Sequence, residues 1–485
     1  MPEARLIDRF GFKFKIPSMR LLNRLLMLCI MTTLAACEFD FGENSTDDSP
    51  VNFAQHIAPI IHQNCTPCHR TGAAGPFPLI TYQQVRKKAK TICKVTKSRY
   101  MPPWPADPEY MSFIGEKRLL DKEIALLARW VEEGCAPGDT SGMLLPEFPE
   151  GSMLGRPDWV IHFREPVPLP GDNTDRFMMV KVPFELPFDT FLRAVEYVPG
   201  NRKLVHHTNG HIVHYSRELK KQPMKGPYYA HRDSFPDMDA AFRYMNLLND
   251  DGSYPPLTLS AFNYLPGMNP LNYPDGVGGF KIARSGAFLL NDQHYGPSVR
   301  DTSDYSTLNL FFMDKPPVRP LMETQLGSLG ISEIVPRFNI PAGTIRTFHT
   351  RAMIRSDISM ISVNPHMHLL GTTFKAFAIP PSGDTIPLIS IPKWDFRWQY
   401  TYVFRKPKHI PAGSVVWAFG TFDNRASNPR NPFSPPRDIN ESNSSMKTTD
   451  EMFQLIFQYL PYQNGDEHIN LEHSPLIRSA EEVKN

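Results

Sequence analysis

A chain of 485 residues exceeds one ordinary domain and calls for two or three. With 52 Lys and Arg against 50 Asp and Glu, the net charge is only +2, which gives no electrostatic basis for a nucleic-acid partner. Forty-eight prolines and few long charged helical runs favour strands and irregular loops over much of the length.

The first element is a targeting segment. Lys13, Lys15, Arg20 and Arg24 precede an apolar stretch over residues 25–34, short for a bilayer span but suited to a signal-peptide core. It ends in Leu34-Ala35-Ala36-Cys37, which resembles the bacterial lipobox. That resemblance implies a lipoprotein signal over residues 1–37 and lipidation of Cys37. The chain would then be exported to the periplasm or cell surface and held to the membrane by lipid alone. An ordinary signal peptide with an incidental Cys is the alternative, and Met19 competes with Met1 as the start. Residues 38–50 are acidic and polar and read as a flexible tether.

Cys29 and Cys37 belong to the signal, and no Cys follows Cys135. An exported chain can form disulfides. Cys93 and Cys135 are therefore expected to pair, against the alternative of two buried thiols.

Residues 51–140 carry the most specific motif, Cys65-Thr66-Pro67-Cys68-His69. Two thiols at this spacing can form thioethers to the two vinyl groups of one porphyrin, and the adjacent His69 can ligate its iron. A redox dithiol or half a zinc site is the competitor. Phe53, Ile57, Ile60 and Ile61 recur at helical spacing before the motif. Asp121 is expected to cap a helix bearing Ile124, Leu127, Ala128 and Val131, ended by Gly134. Between them Met101 precedes Pro102, Pro103 and Trp104, a rigid loop suited to a sixth iron ligand, with Trp104 on the haem edge. Met111 is the rival, and core filling is the bland role of either Met. His/Met ligation implies electron transfer. The stretch resembles a class I cytochrome c domain, which implies a small all-α fold.

Beyond residue 140, turn-rich stretches separate β-prone runs at residues 177–182, 211–215, 287–290, 308–312 and 414–419. They predict antiparallel β-sandwich, in more than one copy. Three histidine clusters stand out: His206 with His207, His294, and His366 with His368. Residues i and i+2 of a strand share a face, so His366 and His368 can grip one ion. The adjacent His206 and His207 need a bulge or strand end to do so. Met452 would add a soft thioether, a set that suits copper cycling through Cu(I); zinc on three histidines is the competitor.

The order H-H, H-Y, H-x-H-L-x-G and D-E-M, over residues 155–465, resembles the copper type II, ascorbate-dependent monooxygenases. Peptidylglycine α-hydroxylating and dopamine β-monooxygenases belong to that family. The resemblance implies two all-β, jelly-roll-like domains, residues 155–318 and 319–465, followed by a tail over residues 466–485. It implies one copper held by His206, His207 and His294 that stores an electron. A second, held by His366, His368 and Met452, would meet O₂ and substrate. His211 and His214 match no ligand position and read as structural. One oxygen atom would enter a C–H bond of a small substrate, the other leaving as water, with two electrons supplied from outside. Ascorbate or another one-electron reductant would be the co-substrate, relayed through the haem from an external donor.

The chain departs from this family in lacking cysteine in the copper region. It also has Asn364 in place of the Arg that holds a peptide carboxylate, and Gln454 and Ile456 in place of the pocket Asn and Tyr. A neutral or apolar substrate is expected. The alternatives from other classes are an electron-transfer cytochrome lipoprotein whose β domains only bind copper or a partner, and a carbohydrate- or surface-binding jelly roll.

Overall fold

The computed structural model describes residues 50–148, 151–273, 277–440 and 449–472. The signal with Cys29 and Cys37, the tether up to residue 49 and the tail from residue 473 lie outside the described residues. Among the described residues no helix is long and apolar enough to cross a membrane.

The Asn52 side chain accepts from the Gln55 N–H and starts a single π turn, Phe53–Ile57, that runs into the helix Ala58–Asn64. The predicted stripe of Phe53, Ile57, Ile60 and Ile61 is buried. Thr81 and Gln84 form a capping box on the helix Tyr82–Lys97. The helix Asp121–Glu132 has Leu120 rather than Asp121 at its cap, because Glu123 reaches back to the Leu120 N–H at 2.7 Å. These elements enclose a small apolar core that includes Val85, Leu127 and Trp130.

All five predicted β runs are strands. Strands Arg176–Glu185, Val205–His214, Leu257–Tyr264 and Ser285–Tyr295, with Tyr229–His231, form a five-stranded antiparallel sheet. It packs through Val182, Ile212, Phe288 and Leu290 on a second sheet containing Thr190–Val198 and Thr307–Phe312. Its other face is covered by the helix Met238–Tyr244, through Phe242. Farther along, strands Met322–Gly327, Phe453–Pro461, Ile358–Met367 and Tyr402–Ile410 make a four-stranded sheet. It packs on a five-stranded one containing Ile345–Met353, Gly371–Ile379 and Val415–Asp423.

The expectation of a small all-α cytochrome domain ahead of the jelly-roll-like β domains is overturned: strand makes up 36% and helix 13%, and among the described residues no distinct all-α domain stands apart from the β sheets. The reason is shared burial. After the helix Tyr82–Lys97 the chain leaves the helical core, and Ala106 and Phe113 join the second β core instead. Phe113 bridges to Phe404, the Ile114 N–H reaches the Val403 carbonyl at 2.9 Å, and the Asp107 N–H reaches Ser390 at 2.8 Å. Ile361 and Leu460, from the second pair of sheets, pack into the first β core. Strand Ile358–Met367 is buried on both faces for most of its length.

The expected Cys93–Cys135 bridge is also absent; both carry free thiols. Cys135 sits near Arg86 and Lys90 on the helix Tyr82–Lys97, toward the end opposite to Cys93, and each helical residue adds about 1.5 Å of rise.

Arg319, between the two pairs of sheets, makes a two-pronged contact with Asp466 at 2.6 and 2.9 Å, and Ser359 donates to the same carboxylate at 2.5 Å. Asp466→Ala would leave Arg319 buried without its partner and should cost about 3 kcal/mol in denaturant unfolding. In the folded state burial opposes ionisation of Asp466, but Arg319 and Ser359 hold its pKa below the ordinary value. The stabilisation is therefore present above the unfolded-state pKa and lost as pH falls through the folded-state value. The variant should lack this part of the acid sensitivity; an unchanged unfolding midpoint would show the pair to be dispensable.

Candidate functional site

Strand Val205–His214 pairs irregularly with Ser285–Tyr295, its register shifting between Val205 and His207 and again between His207 and Gly210. This is the irregularity the adjacent histidines required. It lets His206 and His207 turn toward His294, and one nitrogen of each of the three rings lies within 4.8 Å of the others. His206 Nδ1 and His207 Nδ1 are 3.1 Å apart. The opposite nitrogens are held from behind: His207 Nε2 by Asp292 at 3.2 Å, and His294 Nε2 by Asp175 at 2.8 Å. Phe177 stacks on His294 with ring centroids 4.3 Å apart.

His294 Nδ1 is buried and has no hydrogen-bond partner. An orphaned nitrogen near two more imidazoles, with His207 and His294 braced through their far nitrogens, fits a metal ion of the copper or zinc kind. Burial, with help from its histidine neighbours, lowers the His206 pKa to about 3, and burial also lowers that of His294. Imidazoles that stay neutral near pH 7 are ready ligands.

The second cluster lies on the face of Ile358–Met367 turned away from the second core. His366 Nδ1 donates to Gln399 Oε1 at 2.5 Å, and His368 Nδ1 donates to the Asp450 carbonyl. That leaves the two Nε2 atoms 3.1 Å apart. Burial lowers His366 to about 4 and, together with His366, lowers His368 to about 3. Gln454 pairs with His366 across the strands. Met452, just before the strand Phe453–Pro461, is buried. Glu451 accepts from the His368 N–H at 3.0 Å and the Leu370 N–H at 2.6 Å, tying the H-x-H turn to the D-E-M segment. Burial raises the Glu451 pKa to about 8.

The two clusters meet. Phe396 contacts the rings of both His207 and His368, with centroids 6.1 and 5.6 Å away. Asp292 also pairs with Arg232 at 3.0 Å. Burial opposes its ionisation, but His207 and Arg232 hold its pKa far below the carboxylate range. His211 and His214 stay outside both clusters: His211 Nδ1 accepts from the Ser260 N–H at 3.2 Å, and His214 contacts Thr258 at 2.7 Å.

At the helical end, His69 Nδ1–H donates to the Phe77 carbonyl at 3.1 Å, which leaves the lone pair on Nε2. A Cβ on Gly75 would come within 2.8 Å of His69 Nδ1, so glycine permits this close turn. Burial pushes the Cys65 thiol up to about 12 and raises Cys68 as well. Cys68 borders a cavity of about 270 Å³ also lined by Arg70, Lys117 and Arg202. Met101 lines a second cavity of about 280 Å³ with Trp104, and the two cavities share no lining residue. Met101 and Cys68 thus border different cavities of these two. Met111 packs against the second β core. The buried Trp104 indole N–H lacks an acceptor, and a haem carboxylate is the kind of group that would supply one.

Sequence reasoning missed Asp175, Asp292, Gln399 and Glu451. Glu451 sits inside the quoted motif D-E-M and Asp292 two residues before His294, where a carboxylate beside a candidate ligand was a usable signal. Asp175 and Gln399 carry none, being 119 and 33 residues from the histidines they hold.

No protein-family model matches the chain, and no curated protein matches it. Among solved structures, infectious bursal disease virus Gx strain aligns with 64% of this chain and 74% of its own, at 8% identity and a TM-score of 0.17. The VP2 subviral particle of that virus aligns with 68% and 87%, at 9% identity and 0.15. An allantoicase aligns with 51% and 74%, at 9% identity and 0.14. Likeness at this level carries no argument about the chain.

Proposed function

We propose that the chain is a copper-dependent monooxygenase that hydroxylates a C–H bond of a small molecule and takes its electrons through a covalently attached haem. The observation that carries this reading is the pair of facing imidazole clusters. In each, imidazole nitrogens converge, and in the second the buried Met452 follows Glu451, which accepts from the His368 N–H.

His206, His207 and His294 would hold one copper, and His366, His368 and Met452 the other. Cys65 and Cys68 would hold the haem covalently and His69 its iron, with Met101 as the candidate for the opposite side. Bound there, the coppers would supply one-electron storage and O₂ activation, and the haem one-electron transfer.

The chain's own residues would do the rest. Asp175 and the Phe77 carbonyl fix ring tautomers from behind. Asp292 and Arg232 keep a balanced buried pair between the clusters. Phe396 excludes water from that space. Asn364 donates to the Tyr400 carbonyl and to Thr401, and Gln454 donates to the Ser328 carbonyl. Neither presents a cation, which supports a neutral or apolar substrate rather than one held by a carboxylate. Export and a lipid anchor at Cys37 belong to the same reading, with ascorbate or another one-electron donor outside the cytoplasm.

Metal analysis and the haem spectrum of one purified sample test the cofactors together. One haem and two coppers per chain are expected, the haem staying with the polypeptide on denaturation unless Cys65 and Cys68 are replaced. Oxygen uptake should depend on substrate and vanish in Met452→Ala, with copper retained at the three-histidine cluster. Copper without such uptake would leave an electron-transfer protein instead.

Asp175 is surface-accessible and braces His294 alone, so Asp175→Ala should fold normally. Copper titration of this variant should show affinity at the first cluster reduced by about tenfold. Unchanged affinity would mean that the carboxylate does not orient the ring.

A further inference from the structure

Residues 394–404 read W-D-F-R-W-Q-Y-T-Y-V-F, with an aromatic residue at every second position. The run turns at residues 396–397, where the Trp398 N–H reaches the Asp395 carbonyl at 2.9 Å, and becomes strand from Tyr402. This run touches the haem-bearing segment at one end and both histidine clusters at the other. Trp104, three residues after Met101, lies 5.3 Å by ring centroids from Tyr400 and 5.3 Å from Tyr402. Tyr400 donates its hydroxyl to the Pro103 carbonyl at 2.9 Å. Cys68 lies 3.3 Å from the Pro266 carbonyl, and Leu265, the residue before Pro266, shares the second β core with Tyr400.

Tyr400 then stacks on Trp398, with centroids 6.5 Å apart and planes 13° apart. Trp398 lies 5.8 Å from the ring of His206. Phe396 continues to His207 and His368. These separations fall within the range of direct aromatic contact. Arg397 braces the run against the haem-bearing segment, donating to the Tyr100 hydroxyl at 3.2 Å.

We infer that Trp104, Tyr400 and Trp398 are the electron path from the haem segment to the three-histidine cluster. The inference rests on the reading given under Proposed function. One electron leaves Fe(II), which becomes Fe(III), and reduces Cu(II) to Cu(I). No proton moves, and the rings bridge the transfer without being oxidised themselves. Tyr400 and Tyr402 fill the second β core as well. Trp398 is only partly buried against that core, and its ring spans the gap between Tyr400 and His206.

The test uses the full chain with haem and Cu(II) in place and oxygen excluded. A limiting amount of a one-electron reductant is added by rapid mixing. Haem absorbance and the Cu(II) paramagnetic signal are followed together. In the wild type, reduced haem should be reoxidised as the Cu(II) signal falls. Trp398→Leu and Trp104→Leu, at opposite ends of the path, should each slow this several-fold, with copper content unchanged in both and the haem potential unchanged in Trp398→Leu. Trp398→Phe, which keeps a ring, should recover most of the rate. If either leucine variant loses haem or copper, the other decides. Reoxidation at the wild-type rate in a leucine variant that carries both groups overturns the path while leaving the cofactor reading intact. A wild type that contains both but transfers nothing also overturns the path. A wild type that lacks haem or copper overturns the underlying reading, and the path with it.

Discussion

Strands Ile358–Met367 and Phe453–Pro461 lie in a sheet with little solvent face. One side sends Met360, Met367, Phe453 and Leu455 into the second core. The other side carries Ser362, Asn364, His366, Gln454 and Gln458, which are buried or half-buried. A buried polar group left unpaired costs about 1–3 kcal/mol, so this face holds together only if its members find partners. They do: Ser362 and Tyr273 bond to Gln458, Asn364 to the Tyr400 carbonyl, Gln454 to the Ser328 carbonyl, and His366 to Gln399. Satisfying His366 uses one ring nitrogen and aims the other at His368. The constraint that permits this sheet to be buried is therefore also the one that shapes the second cluster.

The same accounting governs charge. Asp292 is a carboxylate in a buried place, stable there because Arg232 and His207 surround it. With that one anion balanced, the remaining histidines have no reason to protonate, and burial keeps His206, His366 and His368 neutral. An imidazole that carried charge here would repel an incoming cation as well as its neighbours. Neutral rings braced through their far nitrogens or by stacking are what a soft divalent or monovalent metal requires. The electrostatics and the hydrogen bonding thus point the same way, although they arise from different residues.

Much of the site was legible because its information is local. The C-x-x-C-H spacing, the H-x-H alternation and the need for a bulge at His206 and His207 all follow from covalent geometry over a few residues. The five β runs were legible for the same reason. What was not legible depends on contacts between distant parts. Nothing near Asp175 indicates that it will brace His294, and nothing in residues 101–114 shows that Ala106 and Phe113 will leave the helical core for a sheet built from residues near 404. The free thiols of Cys93 and Cys135 turn on where Cys135 meets the neighbouring helix. The alternating aromatics of residues 394–404 were visible but carry no meaning until their neighbours are known.

That relocation of residues 101–114 bears on how the molecule can work. A helical segment joined only by a linker would have to find the β sheets by diffusion, and its electron partner would be reached through a transient encounter. Here Phe113 is stacked on Phe404, Tyr400 is bonded to Pro103, and Cys68 donates to the Pro266 carbonyl at 3.3 Å. The C-x-x-C-H motif is therefore fastened to the β cores, and its separation from the histidine clusters is set by packing. Fixing two groups in one rigid frame removes the entropy cost of bringing them together. It also means that damage to the packing of residues 101–114 would disturb the C-x-x-C-H segment and the second β core at once.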